Sequence, residues 1–285
     1  YNLWSTTATA LLDDDPIDVG VSHNKVSILN HGIPFQNKLF LFSDQTQFVL
    51  SSDKLLTPET VSIDPTTEFE SEAGVMPVAV GNFIYFVSTR GEYSAIREYF
   101  LASETDGLYD ANEITSHAPA YLPANIFKLA ASSSEDVLVA LSSDEPSSMY
   151  VYSYYWSDNK KLQSSWSRWA VETGTQILSA SFINSNLYLI TKDANDDVWI
   201  EKIRMDPSAK DNGSSYLTYL DRRVTEADLT GASYDSGTDQ TTFTLPYDTT
   251  EVECYTRATS ALGEGHQLTV VSVTGPTLVL EGDQT

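Results

Sequence analysis

The chain has 285 residues, enough for one large or two smaller β domains with a buried core. Hydrophobic residues make up 41% and aromatic residues 11%, which is globular rather than disordered composition. Forty acidic residues against sixteen basic ones give a formal charge of −24, which argues against tight nucleic-acid binding through phosphate neutralisation. The acidity is not local, because from Val224 to Thr285 the only Lys or Arg is Arg257. Its simplest effect is solubility and resistance to nonspecific association.

The chain opens at Tyr1 without an initiator methionine and closes on Glu281-Gly282-Asp283-Gln284-Thr285, so both ends read as cut or processed. No apolar run approaches the roughly 20 residues of a membrane-spanning helix, and no signal-peptide core is recognisable. The single cysteine, Cys254, has no partner for an internal disulfide and reads as a small buried hydrophobe, compatible with a reducing cytoplasm.

In chain order, one unit recurs four times: a short apolar run, a polar turn, then a second strand of alternating or aromatic character. The acidic turn Asp13-Asp14-Asp15-Pro16 leads into the first copy. That copy pairs Leu39–Phe42 with Gln47–Leu50 across Ser43-Asp44-Gln45. The second joins Phe83–Val87 to Tyr93–Phe100 around Arg90-Gly91. The third runs from Val137–Leu141 through the loop Ser142–Ser148 to Met149–Trp156. The fourth joins Leu187–Ile190 to Val198–Met205 across Lys192–Asp197.

A further strand is expected before each hairpin, at Lys25–Leu29, Met76–Val80, Ile126–Ala130 and Ile177–Phe182. Another is expected after three of them, at Thr60–Ile63, Trp166–Val171 and Tyr216–Leu220, with Ile114 the nearest candidate after the second hairpin. The hairpins start roughly 50 residues apart, the size of a β-propeller blade. Their first strands are apolar on both parities, as strands covered on both faces should be. One blade cannot bury both faces of its sheet, so neighbours must stack on it. The expected fold is therefore all-β: blade-like four-stranded antiparallel meanders, a β-propeller segment, followed by a smaller β domain. A chain of β-sandwiches is the rival architecture.

Beyond Asp211-Asn212-Gly213, turn formers and acids dominate as far as Asp239. Shorter strands are expected at Thr241–Leu245, Glu251–Arg257, Gln267–Val273 and Leu278–Leu280, with Pro246 and Gly263-Glu264-Gly265 as punctuation. Residues 1–212 thus read as about four blades and residues 213–285 as a small sandwich or barrel-like domain.

Catalytic patterns are missing from the sequence: there is no G-x-S-x-G, no H-E-x-x-H and no Gly-rich phosphate loop. His23, His31, His117 and His266 are scattered without metal-ligand spacing and read as surface or capping residues. Among forty acids a carboxylate pair arises by chance, so no glycosidase pair is assigned. No catalytic, cofactor-binding or metal-binding residue and no cofactor is expected, and the protein reads as a non-enzyme.

Four smaller motifs have bland readings. Asp193-Ala194-Asn195-Asp196-Asp197 opens like a calcium-binding EF-hand loop, but Val198 stands where that loop needs Gly and Arg204 where it needs Glu, so a plain hairpin turn is expected. Lys160-Lys161 and Arg222-Arg223 are basic pairs placed in turns. Asn212-Gly213-Ser214 fits a glycosylation sequon but reads as a turn. Tyr150, Tyr152, Tyr154 and Trp156 share one parity, and their expected role is packing between blades; exposed, they would make a stacking platform for sugars. Trp166 and Trp169 have opposite parity and should anchor the two faces of the next strand.

Several phrases, in this order, resemble the podovirus tail nozzle family, also called tail tubular protein B. They are Asp14-Asp15-Pro16-Ile17-Asp18, Leu39–Ser43 with Gln47-Phe48, Leu56-Thr57-Pro58, and Met76–Gly81. Arg97-Glu98-Tyr99, Ser165–Trp169 and Thr242–Tyr247 continue the series. The resemblance spans about Leu11 to Tyr247. It implies a structural virion protein of a bacteriophage tail, a nozzle subunit forming the distal DNA conduit that retains the genome and lets it exit during infection.

It further implies a homo-oligomer, a hexameric ring, bound to the tail adaptor protein and tail fibres, with assembly in the host cytoplasm. Double-stranded DNA would pass through without tight binding, and no membrane-spanning segment is implied. Family members are longer than this chain, and the family offers no catalytic residues to carry over, its matching positions being structural. Carboxylates lining such a channel would repel phosphates within a Debye length of roughly 8–10 Å. The competing reading is a carbohydrate-binding or glycan-hydrolysing β-propeller, resting on the aromatic stripe and the abundant carboxylates.

Overall fold

In the computed structural model the described residues are 13, 15–21, 27–52, 55–103, 107–157, 160–205, 210, 214, 216–218 and 220–285. Asp14, His23, Lys25, Asn212 and Gly213, and with them the sequon and the expected domain junction, lie outside the described residues. Every regular element described is a β-strand, and no helix among these residues is long and apolar enough to cross a membrane. The chain divides into two compact units, Tyr1–Met205 and Asp206–Thr285.

The first unit is a row of four antiparallel meanders. Strands β1 (Leu29–Phe35), β2 (Lys38–Ser43), β3 (Gln47–Ser51) and β4 (Ser62–Thr67) form the first sheet. The second contains β5 (Val78–Val80), β6 (Phe83–Arg90), β7 (Tyr93–Ser103) and β8 (Leu108–Glu113). The third contains β9 (Ile126–Ser132), β10 (Val137–Ser142), β11 (Ser148–Ser157) and β12 (Lys160–Ala170). The fourth has three strands among the described residues: β13 (Gln176–Ile183), β14 (Asn186–Lys192) and β15 (Val198–Arg204). These are the blade-like meanders expected from the repeat.

Three apolar layers join the four sheets, and they explain the doubly apolar strands. Ile33, Phe40, Phe42 and Val49 of the first sheet meet Ile84, Phe86 and Tyr99 of the second. The opposite face of β6, Tyr85 and Val87, meets Leu138, Ala140, Tyr150 and Tyr152 of the third. In β10 the alternate residues Val137, Val139 and Leu141 turn the other way, onto Ile177, Ala180, Leu187 and Leu189 of the fourth. β6 and β10 are therefore buried on both faces by neighbouring sheets, whereas β2 and β14, although apolar on both parities, bury one face fully and leave Leu39, Leu41 and Ile190 at least partly exposed on the other.

Phe42 is fully buried against Phe86 and Tyr99, with ring centroids 5.3 and 6.2 Å away. Phe42→Ala should lower unfolding stability by about 3–5 kcal/mol, the cost of a large cavity at a sheet-to-sheet seam. Ile200→Ala, on a side chain 78% exposed, should stay within about 0.5 kcal/mol. Equilibrium urea denaturation checks both values.

Several expected strands need correction. Of the strand expected at Lys25–Leu29, Lys25 and Val26 lie outside the described residues and Leu29 alone of the rest is in a strand, β1, which runs on to Phe35. It reaches β2 through Gln36-Asn37, both at positive φ (48° and 61°), the two-residue turn whose twist suits a hairpin. Pro34 fits inside β1 because that strand is the edge of its sheet, where no ladder hydrogen bond is lost. β8 ends at Glu113, just before Ile114. β12 begins at Lys160, so Lys160-Lys161 opens a strand rather than forming a turn. The expected strand Tyr216–Leu220 is replaced among the described residues by an isolated bridge from Leu217 to Lys210.

The second unit has a sheet of β16 (Thr230–Asp235), β17 (Gln240–Thr249) and β20 (Val270–Glu281) in the order β16-β17-β20. β18 (Cys254–Tyr255) and β19 (Gln267–Leu268) form a separate pair. Its core is small: Phe243, Leu245, Leu278 and Leu280, with Val252, Cys254 and Leu268 against them. β16 falls in the stretch expected to be turns, and its six residues are all exposed, so no apolar alternation announces it. The two segments expected at Gln267–Val273 and Leu278–Leu280 largely merge into β20, running through Gly275-Pro276. Gly275 takes φ 56°, a conformation open to glycine, where the register between β17 and β20 shifts.

Candidate functional site

The densest chemistry in the first unit lies in the seam between the second and third sheets. Register sets it up: Tyr85 stands opposite Glu98 across β6 and β7, and Trp156 stands opposite Lys161 across β11 and β12. A bulge between Tyr155 and Trp156 makes the second pairing, because unbroken register would have placed Leu162 there. Leu162 consequently faces solvent and Lys161 turns inward.

Glu98 is only 2% exposed. Lys161 Nζ donates to both of its carboxylate oxygens at 2.7 Å, and Tyr85 Oη donates to Oε2 at 2.9 Å. Lys161 also reaches Tyr152 Oη at 3.2 Å and lies 5.0 Å from the Trp156 ring centroid. The buried carboxylate is thus held by three charge-assisted hydrogen bonds from two residues. Burial, and then the neighbouring carboxylate, push the Tyr85 hydroxyl far above the ordinary tyrosine range. This cluster has a neutralised charge and no free nucleophile, so its chemistry is cohesive rather than catalytic.

The aromatic stripe divides along its length. Tyr150, Tyr152 and Tyr154 are buried between the sheets, as expected for packing. Trp156, at the end of the row, is 38% exposed and stacks on Phe83 with centroids 5.5 Å apart and planes 16° from parallel. The sugar platform that the parity allowed is therefore absent from the three tyrosines. Trp166 and Trp169 lie on opposite faces of β12, Trp166 against the second-sheet seam and Trp169 against the fourth-sheet seam. Trp166 Nε1 donates to the Ile114 carbonyl at 3.1 Å, so it ties the seam as well as filling it.

The calcium-like segment is a hairpin turn. Asp193 Oδ1 accepts from the backbone N–H groups of Asn195 and Asp197, and Oδ2 accepts from Trp199 Nε1 at 2.9 Å. Its carboxylate is fully used in shaping the turn, and no cluster of metal ligands occurs among the described residues. His31 Nε2 donates to the Ala73 carbonyl at 2.9 Å, and His117 and His266 are exposed. Cys254 is half-buried, and burial raises its thiol pKa, which suits packing better than reactivity. Arg222 lies in a turn, with its guanidinium 6.0 Å from the Tyr247 ring, and Tyr247 Oη donates to the Arg222 carbonyl.

The sequence reading missed the Glu98–Lys161 pair. Its one available sign is an acid in a strand, Glu98, flanked by apolar and aromatic residues in Ile96-Arg97-Glu98-Tyr99-Phe100, where a buried charge needs a partner. The identity of that partner depends on the bulge and on sheet stacking, neither of which periodicity reports.

The chain is 30% identical over 247 residues to the tail tubular protein gp12 of Escherichia phage T7, across 86% of this chain and 31% of that protein. It therefore spans about a third of the length of this curated relative. Among solved structures, Kluyveromyces lactis Hsv2 is similar at a TM-score of 0.34 and 12% identity, covering 77% of this chain and 57% of that one. The family model described as bacteriophage nozzle protein matches residues 1–285 in full, and the chain belongs to that family.

Proposed function

We propose that this chain is the blade-bearing part of a nozzle subunit in the tail of a short-tailed bacteriophage. In this reading it is a structural virion protein whose ring forms the distal DNA conduit, retaining the genome and releasing it during infection. The observation that carries the reading is the match of the whole chain to the bacteriophage nozzle protein family. The architecture suits the role, because a row of sheets fused through three apolar seams is a stiff wall element rather than a hinged one.

Residues 1–212 would supply the platform and residues 213–285 a separate small β domain. The assembled protein would be a hexamer that meets the tail adaptor and the fibres, is built in the bacterial cytoplasm and is carried in the virion tail. The charge of −24 fits a duct that must not hold its cargo: carboxylates facing the channel repel phosphates over roughly 8–10 Å. The protein would act without catalysing a reaction.

Two measurements on the full-length protein test the reading. Native mass spectrometry should give a ring of about six subunits, and a monomer at all concentrations would count against a nozzle. Gel shift with linear double-stranded DNA should show no retention at physiological salt. Retention that persists as salt is raised would replace the non-stick channel with a DNA-gripping surface.

A further inference from the structure

At the mouth of the seam between the second and third sheets lies an open cleft of about 490 Å³. That volume falls within the roughly 300–1,000 Å³ of small-ligand sites. Three segments build it. The β5–β6 turn contributes Asn82 and Phe83, the β9–β10 turn contributes Ser133 and Asp136, and the end of β11 contributes Tyr154 and Trp156.

One side of the cleft is a preorganised aromatic wall. Trp156 is held parallel to Phe83, and Lys161, itself fixed by Glu98, lies over both rings at 5.0 and 5.8 Å. The other side is polar: the side chains of Asn82, Ser133 and Asp136 make no hydrogen bond among the described residues. Asp136 sits at φ 51° in the turn, and its backbone carbonyl accepts from Tyr154 N–H at 3.0 Å, which anchors the turn to β11 where both residues line the cleft. Burial and the neighbouring Glu135 raise the Asp136 pKa.

A flat apolar wall facing solvent-accessible donors and acceptors matches a pyranose ring, which has an apolar C–H face and a rim of hydroxyls. Other ligand classes fit worse. A cation would meet like charge in the Lys161 ammonium, 5.0 Å from the Trp156 ring centroid and 5.8 Å from that of Phe83. An anion would meet Asp136 beside Glu135. We propose that this cleft binds a neutral glycan, stacking one sugar face on Trp156 while hydroxyls bond to Asp136, Asn82 and Ser133. It is a binding site rather than a hydrolytic one, since Asp136 is the only carboxylate lining it among the described residues and glycoside cleavage uses two. The proposal does not depend on the nozzle role.

The test is saturation-transfer difference NMR on the full-length protein. The probes are the methyl glycosides of glucose, galactose, mannose and N-acetylglucosamine, with choline as the cationic comparison. At least one glycoside should bind saturably in the millimolar range; Trp156→Ala should weaken it at least about tenfold and Asp136→Asn several-fold. No saturable binding of any glycoside overturns the proposal, as does binding of choline alone or binding that survives Trp156→Ala unchanged. Should Trp156→Ala fail to fold, the double variant Asn82→Ala/Ser133→Ala decides. A several-fold loss of affinity supports the site and an unchanged affinity overturns it.

Discussion

Lys161→Met should destabilise the first unit by about 3 kcal/mol, near the lower end of the loss caused by removing one partner of a buried ion pair. The low end applies because Lys161 is itself 19% exposed in its side chain and because Tyr85 continues to donate to the stranded carboxylate. Glu98→Gln should cost less, about 1–2 kcal/mol, since the freed ammonium can turn toward water on its four-carbon stem. Combining the two changes should restore more than half of the Lys161→Met loss, because the double variant buries no unpaired charge. This asymmetry separates a buried pair from an ordinary surface one, where both single changes would fall within about 1 kcal/mol. Urea titration of the four proteins supplies the cycle. Equal, small effects from both single variants would show that the pair does not hold the seam.

The same seam marks the boundary of what the sequence makes legible. Runs such as Val137–Leu141 and Phe83–Val87 are apolar at every position, and layers cover both faces of β10 and β6. Leu39–Phe42 and Leu187–Ile190 read the same way, yet β2 and β14 bury only one face fully, so the pattern does not tell an inner sheet from an outer one. The stripe from Tyr150 to Tyr154 is legible: period two places its members on one face, and its size demands burial. What the pattern cannot carry is anything that breaks period two. The bulge at Tyr155 exchanges Leu162 for Lys161, reverses an inference from parity, and brings in the cation that neutralises Glu98. The turn at Gln36-Asn37 is hidden similarly, because neither residue is glycine although both adopt positive φ. β16 is hidden for the opposite reason: with six exposed residues it has no apolar face to read. The Trp156 cleft also depends on three turns meeting, a relation between distant segments that spacing does not encode.

Alkaline pH should destabilise this protein steeply above pH 10, through its buried tyrosines. Burial is the leading cause of a raised hydroxyl pKa at Tyr85, Tyr99, Tyr150 and Tyr154, and at Tyr154 the value is pushed up to about 12 from the usual 10.0. Below pH 10 these groups are protonated in both states and contribute no pH dependence. Above it the unfolded chain releases protons that the folded chain keeps, so the folded state binds more protons and stability falls as pH rises. Each such tyrosine removes at most about 1.4 kcal/mol per pH unit between 10 and its folded value, so Tyr154 alone accounts for about 2 kcal/mol by pH 12. Tyr85 and Tyr99 act through that whole interval, and the summed loss is a large part of the roughly 5–15 kcal/mol that holds a domain together. The melting temperature should therefore be nearly flat up to pH 10 and then drop steeply, with phenolate absorbance appearing together with unfolding. Tyr85→Phe is the informative variant. It gives up the hydrogen bond to Glu98 and should be about 1 kcal/mol less stable near pH 7, yet its alkaline slope should be shallower, so the two stability curves converge above pH 10. A melting temperature that stays level through that range, or a variant that loses stability in parallel with the parent, would show that these hydroxyls ionise freely in the folded protein and that the seam is wet.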